Sequence, residues 1–284
     1  MMEKRQSAEL ENMAAWTTDY VPGPPRIAVD HCGEGGLVIL MHGIGGNRTN
    51  WHDQLPVFAA HFHAVSWDAR GYGASDDYEG PLDFGDFARD LAHVLDHFRA
   101  VRAHLVGLSM GGMIAMDFYS RYPERVATLT ICDSLAGFNH LTPEQRREFV
   151  RLRQEPLIAG KEPKDIAPAV AETLIGKSAR SGSFERLVAS MSALHKESYL
   201  KTIAGTANYQ RRYELEKIAV PAHIVVGDED RLTPPEMSRQ MAERIPGASL
   251  TLIEGAGHLS NIEQPEKFNR AVLTFLIEHR DRAR

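Results

Sequence analysis

From about residue 23 onward, short apolar runs alternate with longer segments whose apolar positions recur at helical spacing. The runs at 27–30, 37–41, 64–67, 103–108, 126–132, 223–226 and 249–253 predict strands. Residues 84–98, 111–122, 235–245 and 265–279 predict helices. Strands that alternate with helices imply an α/β chain with a mostly parallel sheet flanked by helices. The rhythm breaks between about 135 and 215, where the chain is charged and helix-prone without a convincing strand. This stretch predicts a helical cap inserted over the carboxyl edge of the sheet. The expected organisation is a polar leader at 1–22, a core at 23–134 and 216–284, and the cap at 135–215.

Length and composition narrow the classes. A chain of 284 residues can bury the core of one large α/β domain. Its net charge of −6 argues against a nucleic-acid or anionic-membrane partner, which would favour a basic patch. No apolar run approaches the ~18 residues of a membrane helix, and the start of the chain has no signal-peptide core. The only cysteines are Cys32 and Cys132, too few for a disulfide framework. A reduced, cytoplasmic protein is the expectation, compatible with a homo-oligomer.

One stretch carries chemistry. Gly107-Leu108-Ser109-Met110-Gly111 reads G-x-S-x-G between a predicted strand and a predicted helix. A serine on so sharp a turn presents its hydroxyl at the carboxyl end of the sheet. Further on, the strand at 249–253 runs into Glu254-Gly255-Ala256-Gly257-His258, and the strand at 223–226 into Gly227-Asp228-Glu229-Asp230. The strand at 37–41 runs into His42-Gly43-Ile44-Gly45-Gly46. A nucleophile, a carboxylate loop, a histidine and a glycine-rich oxyanion loop thus fall on one edge of the sheet, in the order Ser, Asp or Glu, His.

These motifs, with the turn from Asp68 to Ser75, resemble the α/β-hydrolase fold family from about residue 25 onward. Within it, Gly107-Leu108-Ser109-Met110-Gly111-Gly112 and the segment from His258 to Phe268 look most like 3-oxoadipate enol-lactonases. The chain departs from that branch in having His42-Gly43 where Asn-Ser is common. The family pattern G-x-x-D selects Asp230 as the acid; Asp133, directly after a strand, is its rival because some relatives place the acid there.

The expected roles follow. Ser109 is the nucleophile, His258 its base, and Asp230 the orienting carboxylate. The backbone N–H groups of Ile44 and Met110 form the oxyanion hole. Of the 13 histidines, His42 shapes the oxyanion loop rather than titrating in catalysis. His61 and His63 form H-x-H without the other ligands of a binuclear site, and His93 and His97 lack the H-E-x-x-H pattern, so no metal is expected. No cofactor is expected either. Trp51 reads equally well as pocket wall or core anchor. The activity implied is hydrolysis of a small ester or lactone through an acyl-enzyme. Carbon–carbon bond hydrolysis and perhydrolysis are the alternatives on this fold, and a slow-turnover ligand sensor is the alternative of another class.

Overall fold

The computed structural model describes residues 16–138, 141–209 and 213–283. Its strands are β1 Thr17–Val21, β2 Ile27–Cys32, β3 Leu37–Met41, β4 His63–Trp67, β5 Ala103–Leu108, β6 Val126–Cys132, β7 Ala222–Gly227 and β8 Ser249–Ile253. They form one sheet in the order β1-β2-β4-β3-β5-β6-β7-β8. β2 is antiparallel to both neighbours, and every pairing from β4 across to β8 is parallel. β3, β5 and β6 are buried at every residue, as strands covered by helices on both faces must be.

The helices are α1 Leu55–Ala59, α2 Gly85–His97, α3 Met110–Arg121, α4 Pro143–Ile158, α5 Pro163–Leu174, α6 Ser183–Ser192, α7 Lys196–Asn208, α8 Pro235–Arg244, α9 Ser260–Glu263 and α10 Pro265–Glu278. α3 is buried from Met110 to Phe118 and packs on β5 and β6. Helices α4 to α7 fill the stretch between β6 and β7. Thr142 and Gln145 cap α4 reciprocally, and Pro143 opens it. The inward faces of these helices carry Leu157, Ala167, Ala171, Leu187, Met191, Tyr199 and Ile203. α4 packs on α7 and α5 on α6.

Two parts of the chain differ from the sequence pattern. Residues 1–15 of the predicted leader lie outside the described residues. Its end is a strand: β1 pairs with β2 from Thr17↔His31 to Val21↔Ile27. The apolar pattern hides it because this edge strand is exposed along most of its length, although Thr, Tyr and Val all suit a strand. The other addition is α9, a single buried turn directly after His258.

Strand order sets the site. From β3 the chain leaves to β4 on one side, and β5 lies on the other. The crevice outside the carboxyl ends at such a switch is where open α/β sheets place ligands. β3, β5, β7 and β8 all run the same way, so the loops after Met41, Leu108, Gly227 and Ile253 emerge at one edge.

Candidate active site

The turn that carries Ser109 is built by close approach of backbone to backbone. Ser109 has φ 54° and ψ −114°, a conformation L residues rarely adopt. Its N–H donates to the Cys132 carbonyl at 2.8 Å, and the Ser134 hydroxyl donates to its carbonyl at 2.6 Å. The flanking glycines make room. A Cβ on Gly107 would lie 2.2 Å from the Gly111 carbonyl oxygen, and one on Gly111 the same distance from that of Met41. Any side chain at either position would force β3, β5 and α3 apart.

Ser109 Oγ lies 2.9 Å from His258 Nε2, and His258 Nδ1 lies 2.9 Å from Asp230 Oδ2. With its proton on Nδ1, His258 donates to Asp230 and accepts from the serine hydroxyl. Asp230 Oδ1 accepts the N–H groups of Leu232 at 2.8 Å and Thr233 at 2.9 Å. The Thr233 hydroxyl donates to Asp230 Oδ2 at 2.6 Å. Burial disfavours the charge on Asp230, but His258 and these donors outweigh it and lower its pKa. For His258 burial likewise opposes the charged form. The charge and hydrogen bond of Asp230, with the charges of Asp133 and Glu263, reverse that and raise its pKa above 6.5.

Asp133, the other carboxylate singled out by the sequence, has different partners. Its Oδ1 accepts the Gly227 N–H at 2.8 Å, and its Oδ2 accepts the amide and hydroxyl of Ser260. Fully buried and near the negative Asp230, its pKa is pushed up to about 8.

The glycine-rich loop after β3 is braced from below. The Ala69 N–H donates to His42 Nε2 at 3.0 Å, so the ring proton sits on Nδ1 and is donated to the Gly43 carbonyl at 2.8 Å. Both nitrogens are occupied in the neutral ring, and burial lowers the pKa of His42. The Tyr72 hydroxyl holds the Ile44 carbonyl at 3.0 Å. Among the described residues, the N–H groups of Ile44 and Met110 have no protein acceptor.

A cleft opens over Ser109 and His258. Gly43 to Gly46, Trp51 and Leu259 line it from the core; Val170, Leu174, Leu187 and Met191 line it from the helices between β6 and β7. Trp51 is wholly buried, lines the cleft and packs on Phe268 at 6.0 Å between ring centroids, so it is wall and anchor at once. His63 pairs with His31 at 3.0 Å and His97 with Asp19 at 3.0 Å, both through ring nitrogens.

Three features had no sequence signal. Thr233 is one of several threonines until its loop closes on Asp230. Glu263, buried in α9, accepts the N–H groups of Gly176 and Gly257 at 2.8 Å and of Leu259 at 2.9 Å. It ties the end of α5 to the loop that carries His258, and the His258 N–H adds a bond to the Leu174 carbonyl at 2.9 Å. Arg153 and Tyr199 line the cleft from α4 and α7.

Residues 36–265 match the alpha/beta hydrolase fold family, and the chain belongs to it. It is 26% identical over 237 residues to 3-oxoadipate enol-lactonase 2 of Acinetobacter baylyi, covering 83% of this chain and 86% of that one. It is 30% identical over 266 residues to a 2-hydroxy-6-oxononadienedioate/2-hydroxy-6-oxononatrienedioate hydrolase of Burkholderia vietnamiensis, covering 88% and 91%. A thermophilic esterase from Thermogutta terrifontis superposes with a TM-score of 0.83 at 28% identity, covering 94% of this chain and all of that one. The family, the fold and these relatives make the protein an α/β-fold hydrolase. No helix among the described residues is long and apolar enough to cross a membrane.

Proposed function

We propose that the protein is a cofactor-independent serine hydrolase that cleaves a small ester or lactone, with Ser109, His258 and Asp230 as its catalytic residues. The observation that carries this is the unbroken relay from Ser109 Oγ through His258 to Asp230, with both links at 2.9 Å.

In the first step His258 Nε2 takes the Ser109 proton as Oγ attacks the carbonyl carbon. Asp230 stabilises the resulting imidazolium and holds its tautomer without taking the proton. The oxyanion of the tetrahedral intermediate accepts the free N–H groups of Ile44 and Met110, which need no reorganisation to receive it. Collapse expels the alcohol, protonated by His258; in a lactone it stays tethered to the acyl group. Water then adds to the acyl-enzyme with His258 again as base, and the second collapse returns the proton to Ser109.

Ester and lactone chemistry is favoured by the names of the Acinetobacter and Thermogutta relatives. The Burkholderia relative favours a second reading, hydrolysis of a carbon–carbon bond in a vinylogous diketone. A panel of short aryl esters, a butyrolactone series, a meta-cleavage diketone and a long-chain triglyceride tests both. The first reading expects the highest kcat/KM on compact esters or lactones. A clear preference for the diketone would replace it with the second, and a preference for the triglyceride would overturn both.

A further inference from the structure

Arg153 is an unusual residue to find in the wall of an apolar cleft. It stands on α4 and lines the same space as Ser109 and His258. Every other arginine for which an ion pair is described on this helix faces solvent: Arg147 pairs with Glu144, and Arg151 with Glu148 and Glu155. Among the described residues Arg153 has no carboxylate partner. Its guanidinium stacks on the Phe149 ring with Cζ 3.6 Å from the centroid, and one nitrogen donates to the Phe149 carbonyl at 3.2 Å. That single bond leaves most of its five N–H donors unused. Burial works against its charge, yet a guanidinium stays protonated at any working pH.

Tyr199 adds a second, independent observation. It comes from α7, lines the cleft beside Arg153 and is only 2% exposed. Its hydroxyl has no hydrogen-bond partner among the described residues. A buried phenol and a partly desolvated guanidinium, both short of acceptors, face one space. The other titratable groups that line it are His42 and His258. Neither is an anion, and the carboxylate of Asp230 is already occupied by His258 and Thr233.

We infer that Arg153 and Tyr199 form an anion-binding subsite on the cap side of the cleft, and that the substrate is a compact ester or lactone bearing a carboxylate. The planar fork of the guanidinium matches a carboxylate, and stacking on Phe149 fixes the plane in which it is offered. The apolar lining between the two ends accepts the carbon chain. For the bond that is cleaved, this inference rests on the serine-hydrolase reading; for the charge of the ligand it does not.

The test compares three chromogenic esters: neutral 4-nitrophenyl valerate, 4-nitrophenyl hydrogen glutarate with the charge on the acyl side, and 3-carboxy-4-nitrophenyl butyrate with the charge on the leaving group. We expect one charged ester to exceed the neutral one by about 10–100-fold in kcat/KM, the range of a charge-assisted hydrogen bond. Which one wins places the carboxylate. Arg153→Met should abolish that ratio mainly through KM, Arg153→Lys should keep part of it, and Tyr199→Phe should reduce it several-fold. Calorimetry of glutarate binding to Ser109→Ala, alone and combined with Arg153→Met, reads the subsite without turnover. We expect the double variant to bind at least about tenfold more weakly. Variants are first matched by thermal melting; if Arg153→Met does not fold, Arg153→Lys and Tyr199→Phe carry the comparison. No preference for either charged ester, or a ratio and a glutarate affinity indifferent to Arg153, would overturn the subsite. Glutarate held through Arg153 by a chain that hydrolyses no ester would sink the catalytic reading and leave the subsite standing.

Discussion

Ser260 closes on Asp133: its amide donates to Oδ2 at 3.2 Å and its hydroxyl to the same oxygen at 2.5 Å. This pair fixes the start of α9 to the end of β6, two residues beyond His258. Asp133 thereby shapes the ground on which the histidine stands, while Asp230 makes the hydrogen bond to its ring. The two carboxylates should be separable by experiment. Asp230→Asn should lower kcat by about 10³–10⁴-fold, as loss of the orienting carboxylate does in comparable triads. Asp133→Asn should cost less than about tenfold, or about 1.4 kcal/mol of barrier. The reverse ranking in steady-state kinetics would move the acid to β6.

Ser109 should be the residue that a fluorophosphonate labels, because its hydroxyl is bonded to His258 Nε2. Mass spectrometry of the labelled peptide reads the position directly. Ser109→Ala should lose both labelling and turnover; labelling at another serine in that variant would refute the assignment.

The sign of the pH dependence follows from the environment of His258. Its pKa is raised by its carboxylate neighbours despite burial, and as the proposed base it must be neutral to accept the serine proton. kcat/KM should therefore fall as pH drops through an apparent pKa above 6.5. In Asp230→Asn the largest favourable charge is gone and burial dominates, so the residual activity should titrate at lower pH than in the parent chain. An unchanged or higher apparent pKa in that variant would contradict the electrostatic account.

Glu263 offers two oxygens to three amides. Glutamine supplies one acceptor and turns an N–H₂ toward the remaining donors. Glu263→Gln should lower unfolding stability by about 1–3 kcal/mol, the cost of unsatisfied buried donors. Chemical denaturation with matched m-values would show it; a stability equal to the parent would mean the amides find other acceptors.

Much of this was legible in the chain because the strands of a covered parallel sheet are apolar throughout. Leu37–Met41 and Val126–Cys132 declare themselves in that way. The elbow was legible because only glycine tolerates the contacts at 107 and 111. Thr17–Val21 was not, since an exposed edge strand has no apolar face to show. Arg153 was equally hidden. It lies in a charged helical run with Arg147 and Arg151, and only the packing of α4 on α7 separates the arginine that meets the cleft from those that meet water. Glu263 makes three long-range or loop-closing bonds that no local pattern encodes.

The bonds at the end of α5 bear on how this protein can be rebuilt. The insertion is easy to mark off along the chain, yet Leu174 accepts the amide of His258 itself, and Gly176 shares the Glu263 carboxylate with Gly257. The roof is therefore not an interchangeable module. A graft taken from a relative must deliver one carbonyl and one amide to the same places, or the imported helices will arrive with a displaced histidine beneath them. Chimaeras cut inside the loop after α5, leaving Leu174 to Gly176 with the host, are the ones to build first.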